Sequence, residues 1–161
     1  MKMIAKSKNG KAVYINERTE EHMQAHDDVK MSDIQEAISR IDLVDQFTIG
    51  PVDLGRVIGK SHCVVRKDGD DVKMLYRKGR DGKTPMVFNR ESEDTTSIVI
   101  GICIDKMTGE YRLFTSWYGV LAKKEPWDPS IKDEKELAEC QEFWNTHALT
   151  NIECIDWERE V

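Results

Sequence analysis

His22 and His26 stand four residues apart, the spacing that puts two imidazoles on one face of a helix. Such a pair can ligate a metal, but Met23 follows His22, so the H-E-x-x-H protease pattern is not met. No third ligand is evident, so no metal or cofactor is expected. Either histidine can exchange a proton near neutral pH, and either also suits a polar surface helix. A second group is cationic. Arg56 to Arg90 holds ten Lys and Arg against four Asp, a net of +6 in a chain whose net charge is −6. Within it, Arg77, Arg80 and Arg90 flank a short turn. Guanidinium groups keep their charge and bind phosphate bidentately, so an anionic ligand is one reading of this cluster. Pairing with Asp81, Glu91 or Glu93 is the other.

Thr115 to Gly119 offers hydroxyl and aromatic groups at a strand end, suited to donating to phosphate and stacking a base. Strict alternation sets Arg112, Phe114, Ser116 and Tyr118 on one face, and Tyr111, Leu113, Thr115 and Trp117 on the other. Both sets line one cleft only if a bulge intervenes. His147 falls near a predicted helix C-terminus, where imidazolium is favoured; it can act as a general acid or simply cap the helix.

These residues need elements to position them. Lys11 to Ile15 reads as an opening strand, and Asn16 as the cap of a helix reaching about His26. Ser32, with Gln35 three residues on, predicts the start of a second helix, whose apolar stripe is Ile34, Ala37, Ile38 and Ile41. From about Arg56 the pattern becomes strands and tight turns. Ser61–Arg66, Val72–Arg77 and Thr84–Asn89 are strand candidates, separated by Lys67-Asp68-Gly69-Asp70 and Arg80-Asp81-Gly82. Ser97 to Ile104, apolar on both faces, predicts a central strand, and Glu110 to Trp117 its neighbour. After Pro126 and Pro129, a third helix is expected from Asp133 to Leu149, apolar along Leu137, Cys140, Trp144 and Ala148.

The expected fold is therefore α+β. N-terminal helices precede a four- to five-stranded antiparallel meander, and a C-terminal helix packs on it. With 161 residues, one domain over 1–161 is expected, with a core at about 11–119 and an acidic helical extension at about 125–161. That last segment holds eleven acids against three bases, a net of −8. It can cover the basic cluster or face another protein. The longest apolar run, Ile98 to Ile104, is far shorter than the ~20 residues a membrane span needs. The first residues carry charge but no apolar signal region, so no membrane association and a cytoplasmic location are expected. The four cysteines form no C-x-x-C pair and suggest reduced thiols.

The opening helices, with Glu21-His22, Ala25-His26-Asp27-Asp28-Val29 and Asp33-Ile34-Gln35-Glu36-Ala37-Ile38, resemble those of nucleases of the barnase–colicin–RelE superfamily, including its phage and polymorphic-toxin branches. Leu113-Phe114-Thr115-Ser116-Trp117-Tyr118-Gly119 resembles their closing strand. The likeness covers roughly residues 17–119. It implies a toxin-like, metal-independent endoribonuclease that makes the 2′-hydroxyl attack the adjacent phosphate, leaving a 2′,3′-cyclic phosphate. The chemistry needs a base, an acid and cations on the phosphorane. His26 is then the expected base, Arg77 and Arg80 the phosphate binders, and Thr115 or His147 an assisting donor. Arg90, Arg112 and Tyr118 are expected RNA contacts. RNA and an antitoxin or host protein are the partners implied. The contrasting expectation is a non-catalytic interaction module of phage or mobile-element origin, using Trp127, Trp144 and Trp157 with the acidic tail.

Overall fold

The computed structural model describes residues 1–25 and 28–160. In chain order the elements are β1 (Lys2–Lys6), β2 (Ala12–Ile15), α1 (Glu17–Ala25), α2 (Met31–Ser39), β3 (Phe47–Asp53), β4 (Gly59–Ser61), β5 (Cys63–Val65), β6 (Val72–Tyr76), β7 (Lys83–Val87), β8 (Glu93–Thr95), β9 (Ser97–Ile104), β10 (Tyr111–Tyr118), α3 (Glu134–Thr146) and β11 (His147–Leu149). Short 3-10 turns follow at Ile152–Cys154 and Trp157–Glu160. The fold is mixed α and β, with mostly antiparallel strands. The chain forms two compact units, one of Met1–Lys60 with Asp94–Leu121, the other of Ser61–Glu93 with Ala122–Val161.

The first unit contains a five-stranded sheet in the order β1-β2-β10-β9-β3. β9 is central, antiparallel to both β10 and β3, as its apolar residues on both faces require. Ile98, Ile100 and Ile102 face a core that includes Val13, Ile15, Leu113 and the α2 residues Ile34, Ala37 and Ile38. Each buried Ile contributes roughly 1.5–3 kcal/mol of transfer free energy. β3 is an edge strand and accommodates Pro51, which has no N–H for a second ladder. Asn16 Oδ1 accepts from Thr19 N at 2.8 Å and caps α1 as expected. The start of α2 differs from the expectation. Its cap residue is Lys30, without a side-chain bond, and Ser32 is already helical. Here the Lys30 N–H donates to the Tyr118 hydroxyl at 3.0 Å, a tertiary contact invisible to a local capping pattern.

The second unit carries a four-stranded sheet in the order β5-β11-β7-β6. β6 and β7 form the expected hairpin, and β11 runs parallel to β7 and antiparallel to β5. Asp133 Oδ1 accepts from Glu136 N at 2.8 Å, which starts α3 as its sequence predicts. Trp144 closes the core on Met86, Leu149 and Ile155, and its indole Nε1 donates to Lys123 O at 3.0 Å. The strands thus do not form one meander. β6 and β7 lie in one sheet, β9 and β10 in the other, and β4 pairs with β8 as a two-stranded ladder. The residues after 122 are also no appendage, since β11 is an inner strand of its sheet.

Candidate functional site

In the first unit, β10 carries the relevant geometry. Its register on β9 shifts between Leu113 and Thr115. Below the shift Arg112 opposes Cys103; above it Thr115 opposes Gly101 and Trp117 opposes Val99. Cross-strand partners share a face, and Cys103, Gly101 and Val99 alternate along β9. The bulge therefore turns Arg112, Thr115 and Trp117 to one face, which simple alternation divides. Tyr14 opposes Arg112 from β2 and joins them, and Phe47 opposes Cys103 from β3. Phe47 is 60% exposed and stacks on Phe114, with ring centroids 5.4 Å apart. Gly101 keeps this face close-packed. A Cβ there would lie 2.7 Å from Thr115 Cγ2.

Arg112 Nε lies 3.3 Å from Asp105 Oδ2, an ion pair without hydrogen-bond alignment, and among the described residues the buried Nε has no hydrogen-bond partner. Asp105 is itself held below the ordinary carboxylate range, first by the Thr108 and Met107 backbone N–H groups and then by Arg112.

Tyr118 lies on the other face. It opposes Ile98, is buried in the core, and donates to Asp33 Oδ2 at 2.5 Å. Burial, reinforced by the Asp33 bond, pushes its phenol up to about 12. Asp33 is also buried and is paired at 3.1 Å with Arg56. Tyr118 is thus a strut between β10 and the start of α2, apart from the face expected to meet RNA.

The other expected site residues fall in the second unit. Arg77 donates to the buried Glu125 at 2.7 Å and to Thr84 at 3.3 Å. Arg90 is bound bidentately by Asp70, at 2.8 and 3.0 Å, and also by Glu93 and the Val65 carbonyl. Arg80 is exposed, and its carbonyl accepts from Arg159. The acidic C-terminal segment accordingly supplies Arg77 with its counter-ion. It also closes on β6, where Tyr76 N donates to Glu160. His147 caps α3. Its Nδ1 lies 2.9 Å from Phe143 O, and its ring stacks on Phe143 at 3.9 Å. His22 is exposed on α1, and His26 lies outside the described residues.

A site that sequence reading missed lies wholly in the second unit. His62, Phe88, Arg90, Ser92, Thr150 and Asn151 are among the residues lining an open pocket of about 480 Å³. His62 Nδ1 is 2.7 Å from Ser92 Oγ, which is 2.6 Å from Thr150 Oγ1. Residues 62, 92 and 150 are too far apart in sequence for spacing to link them. Only the pairing of β11 with β5 brings Thr150 beside His62, where its N–H donates to the His62 carbonyl at 2.9 Å.

Among the described residues, no group of three His, Cys, Asp or Glu is placed to hold a metal, and no helix is long and apolar enough to cross a membrane. The four cysteines are free thiols, and burial pushes that of Cys63 up to about 12. No protein-family model matches the chain, and no curated protein or solved structure was found to match it.

Proposed function

We propose that this chain is a metal-independent endoribonuclease, toxin-like and cytoplasmic, that lays RNA across the β9–β10 face of its first unit. The observation that supports this reading is the bulge between Leu113 and Thr115, which turns a cation, a hydroxyl and an indole to one face. Single-stranded RNA is bound by such combinations, with aromatic rings stacking bases while cations hold phosphate. Tyr14 and Trp117 supply the rings, Arg112 the charge on the phosphorane, and Thr115 a donor to a non-bridging oxygen. His26 is the base that takes the 2′-hydroxyl proton. Arg77 and Arg90 are hydrogen-bonded to their carboxylates and have structural roles in this reading, whereas Arg112 meets Asp105 through a 3.3 Å ion pair without hydrogen-bond alignment.

The test is RNA cleavage in EDTA, read by gel and by the 2′,3′-cyclic ends of the products. His26→Ala, Arg112→Ala and Thr115→Val each lower the rate by at least about 100-fold in folded protein. An intact protein that leaves RNA uncut rules the reading out. Exposed Met3 and Phe47, the latter on the Arg112 face, favour the alternative of a protein-interaction module. A stable complex in pull-downs without RNA cleavage supports that alternative.

A further inference from the structure

The geometry points to a second reaction centre, an acyl-transfer site in the second unit with Ser92 as nucleophile, His62 as its base and a neutral carboxylic ester as substrate. Three observations carry it. The first is the hydrogen-bonded chain from His62 Nδ1 through Ser92 Oγ to Thr150 Oγ1, with links of 2.7 and 2.6 Å, in the wall of an open pocket. A nucleophile within bonding reach of a base, and held by a third group, is the arrangement that activates a hydroxyl.

The second concerns proton order. Thr150 Oγ1 also lies 3.2 Å from the His62 carbonyl. When Thr150 donates there, Ser92 donates to Thr150 and accepts from His62 Nδ1–H. When Thr150 instead donates to Ser92, the Ser92 proton points at His62 Nδ1, ready for transfer. The 2.6 Å Ser92–Thr150 link is a hydrogen bond in either order, and the second order is the one that activates Ser92.

The third is the wall itself. Asn151 lines the pocket, and its Oδ1 is buried without a hydrogen-bond partner among the described residues. An unpaired buried amide costs free energy until a ligand meets it. The other end of the same amide, Nδ2, is a donor of the kind that an oxyanion of a tetrahedral intermediate requires. Charge selects the substrate. The Arg90 guanidinium is consumed by Asp70, Glu93 and Val65 O, and Glu91 and Glu153 also line the pocket. An anion meets no free cation here, whereas a neutral ester carries no such cost.

In the reaction, Ser92 Oγ bonds to the ester carbonyl carbon and its proton passes to His62 Nδ1. The C–O bond to the alcohol breaks, and the alcohol leaves with that proton. Water then attacks the acyl-serine, giving a proton to His62. The acid departs as Ser92 Oγ takes the proton back.

A fluorophosphonate probe tests this on the full chain, with p-nitrophenyl acetate as substrate. A single adduct on Ser92, located by peptide mass spectrometry, is expected. It is lost in Ser92→Ala, and its rate falls by about 100-fold or more in His62→Gln. Should Ser92→Ala not fold, Ser92→Cys keeps the side-chain shape and moves labelling at that position to iodoacetamide. No adduct on folded protein, an adduct elsewhere, or an unchanged rate in His62→Gln overturns the proposal. RNA cleavage in EDTA is unaffected by Ser92→Ala, so either reading can fail without the other.

Discussion

Arg77 donates through Nη2 to Glu125 Oε1 over 2.7 Å, and the same oxygen accepts from Thr84. The carboxylate and Thr84 are both buried, so this is an interior ion pair in the second unit. Removing one partner strands a charge. Arg77→Met is expected to destabilise by roughly 3–5 kcal/mol, read as a lower urea midpoint for the second unit. Replacing both, as Arg77→Met with Glu125→Leu, recovers most of that loss. If the single variant is as stable as the parent, the pair is not holding the unit together.

Arg90 and Asp70 predict an acid limit. Asp70 is held below its ordinary value first by the Arg90 hydrogen bond and next by the Lys67 N–H. A carboxyl depressed on folding adds stability above its unfolded value, near about 4, and that stability is lost as pH falls through the folded value. Urea midpoints measured downward from neutral pH should fall in that acid range, and Asp70→Asn should flatten part of the fall. An equally steep loss in the variant assigns the acid sensitivity to other carboxylates.

Tyr118 predicts the alkaline counterpart in the first unit. Its phenol is raised from 10.0 to about 12, by burial and then by Asp33. For a raised value the sign is opposite. The stabilisation is complete below 10 and is lost as pH rises towards 12. Phenolate absorbance should therefore show one tyrosine titrating late, and Tyr118→Phe should remove it. The same change leaves the Lys30 N–H and Asp33 without this partner, a loss of roughly 1–3 kcal/mol.

Much of the secondary structure was legible because it is written locally. The Ile34, Ala37 and Ile38 stripe, the Asp133 cap and the turn at Arg80 to Gly82 each act within a few residues. The sheets were not legible, because their order depends on pairings remote in sequence, such as β11 with β7. β1 and β3 escaped notice: β1 is short and partly charged, and β3 contains Gly50 and Pro51. The arginine cluster was legible as charge but not as chemistry. Whether a guanidinium meets phosphate or carboxylate depends on Glu125, 48 residues from Arg77. The bulge that reorders β10 adds one residue against β9 and leaves no mark in the alternation of β10 itself.

That bulge makes Gly101 a means of testing the sheet face separately from the fold. An alanine Cβ would stand 2.7 Å from both Phe114 Cζ and Thr115 Cγ2, closer than real side chains approach. The Phe114 ring tip can swing, but Thr115 is branched at Cβ and stiff at χ1, so its hydroxyl must move with its methyl. Overpacking of this kind costs roughly 1–3 kcal/mol, which leaves a folded protein. Gly101→Ala should therefore lose RNA cleavage well below its melting temperature. Thr115→Ser in the same chain deletes Cγ2, keeps the hydroxyl, and should restore both stability and cleavage in part. Full activity in folded Gly101→Ala would mean that Thr115 has no place in the reaction. Loss of activity without rescue by Thr115→Ser would shift the effect to Phe114, whose ring stacks on Phe47 across the same face.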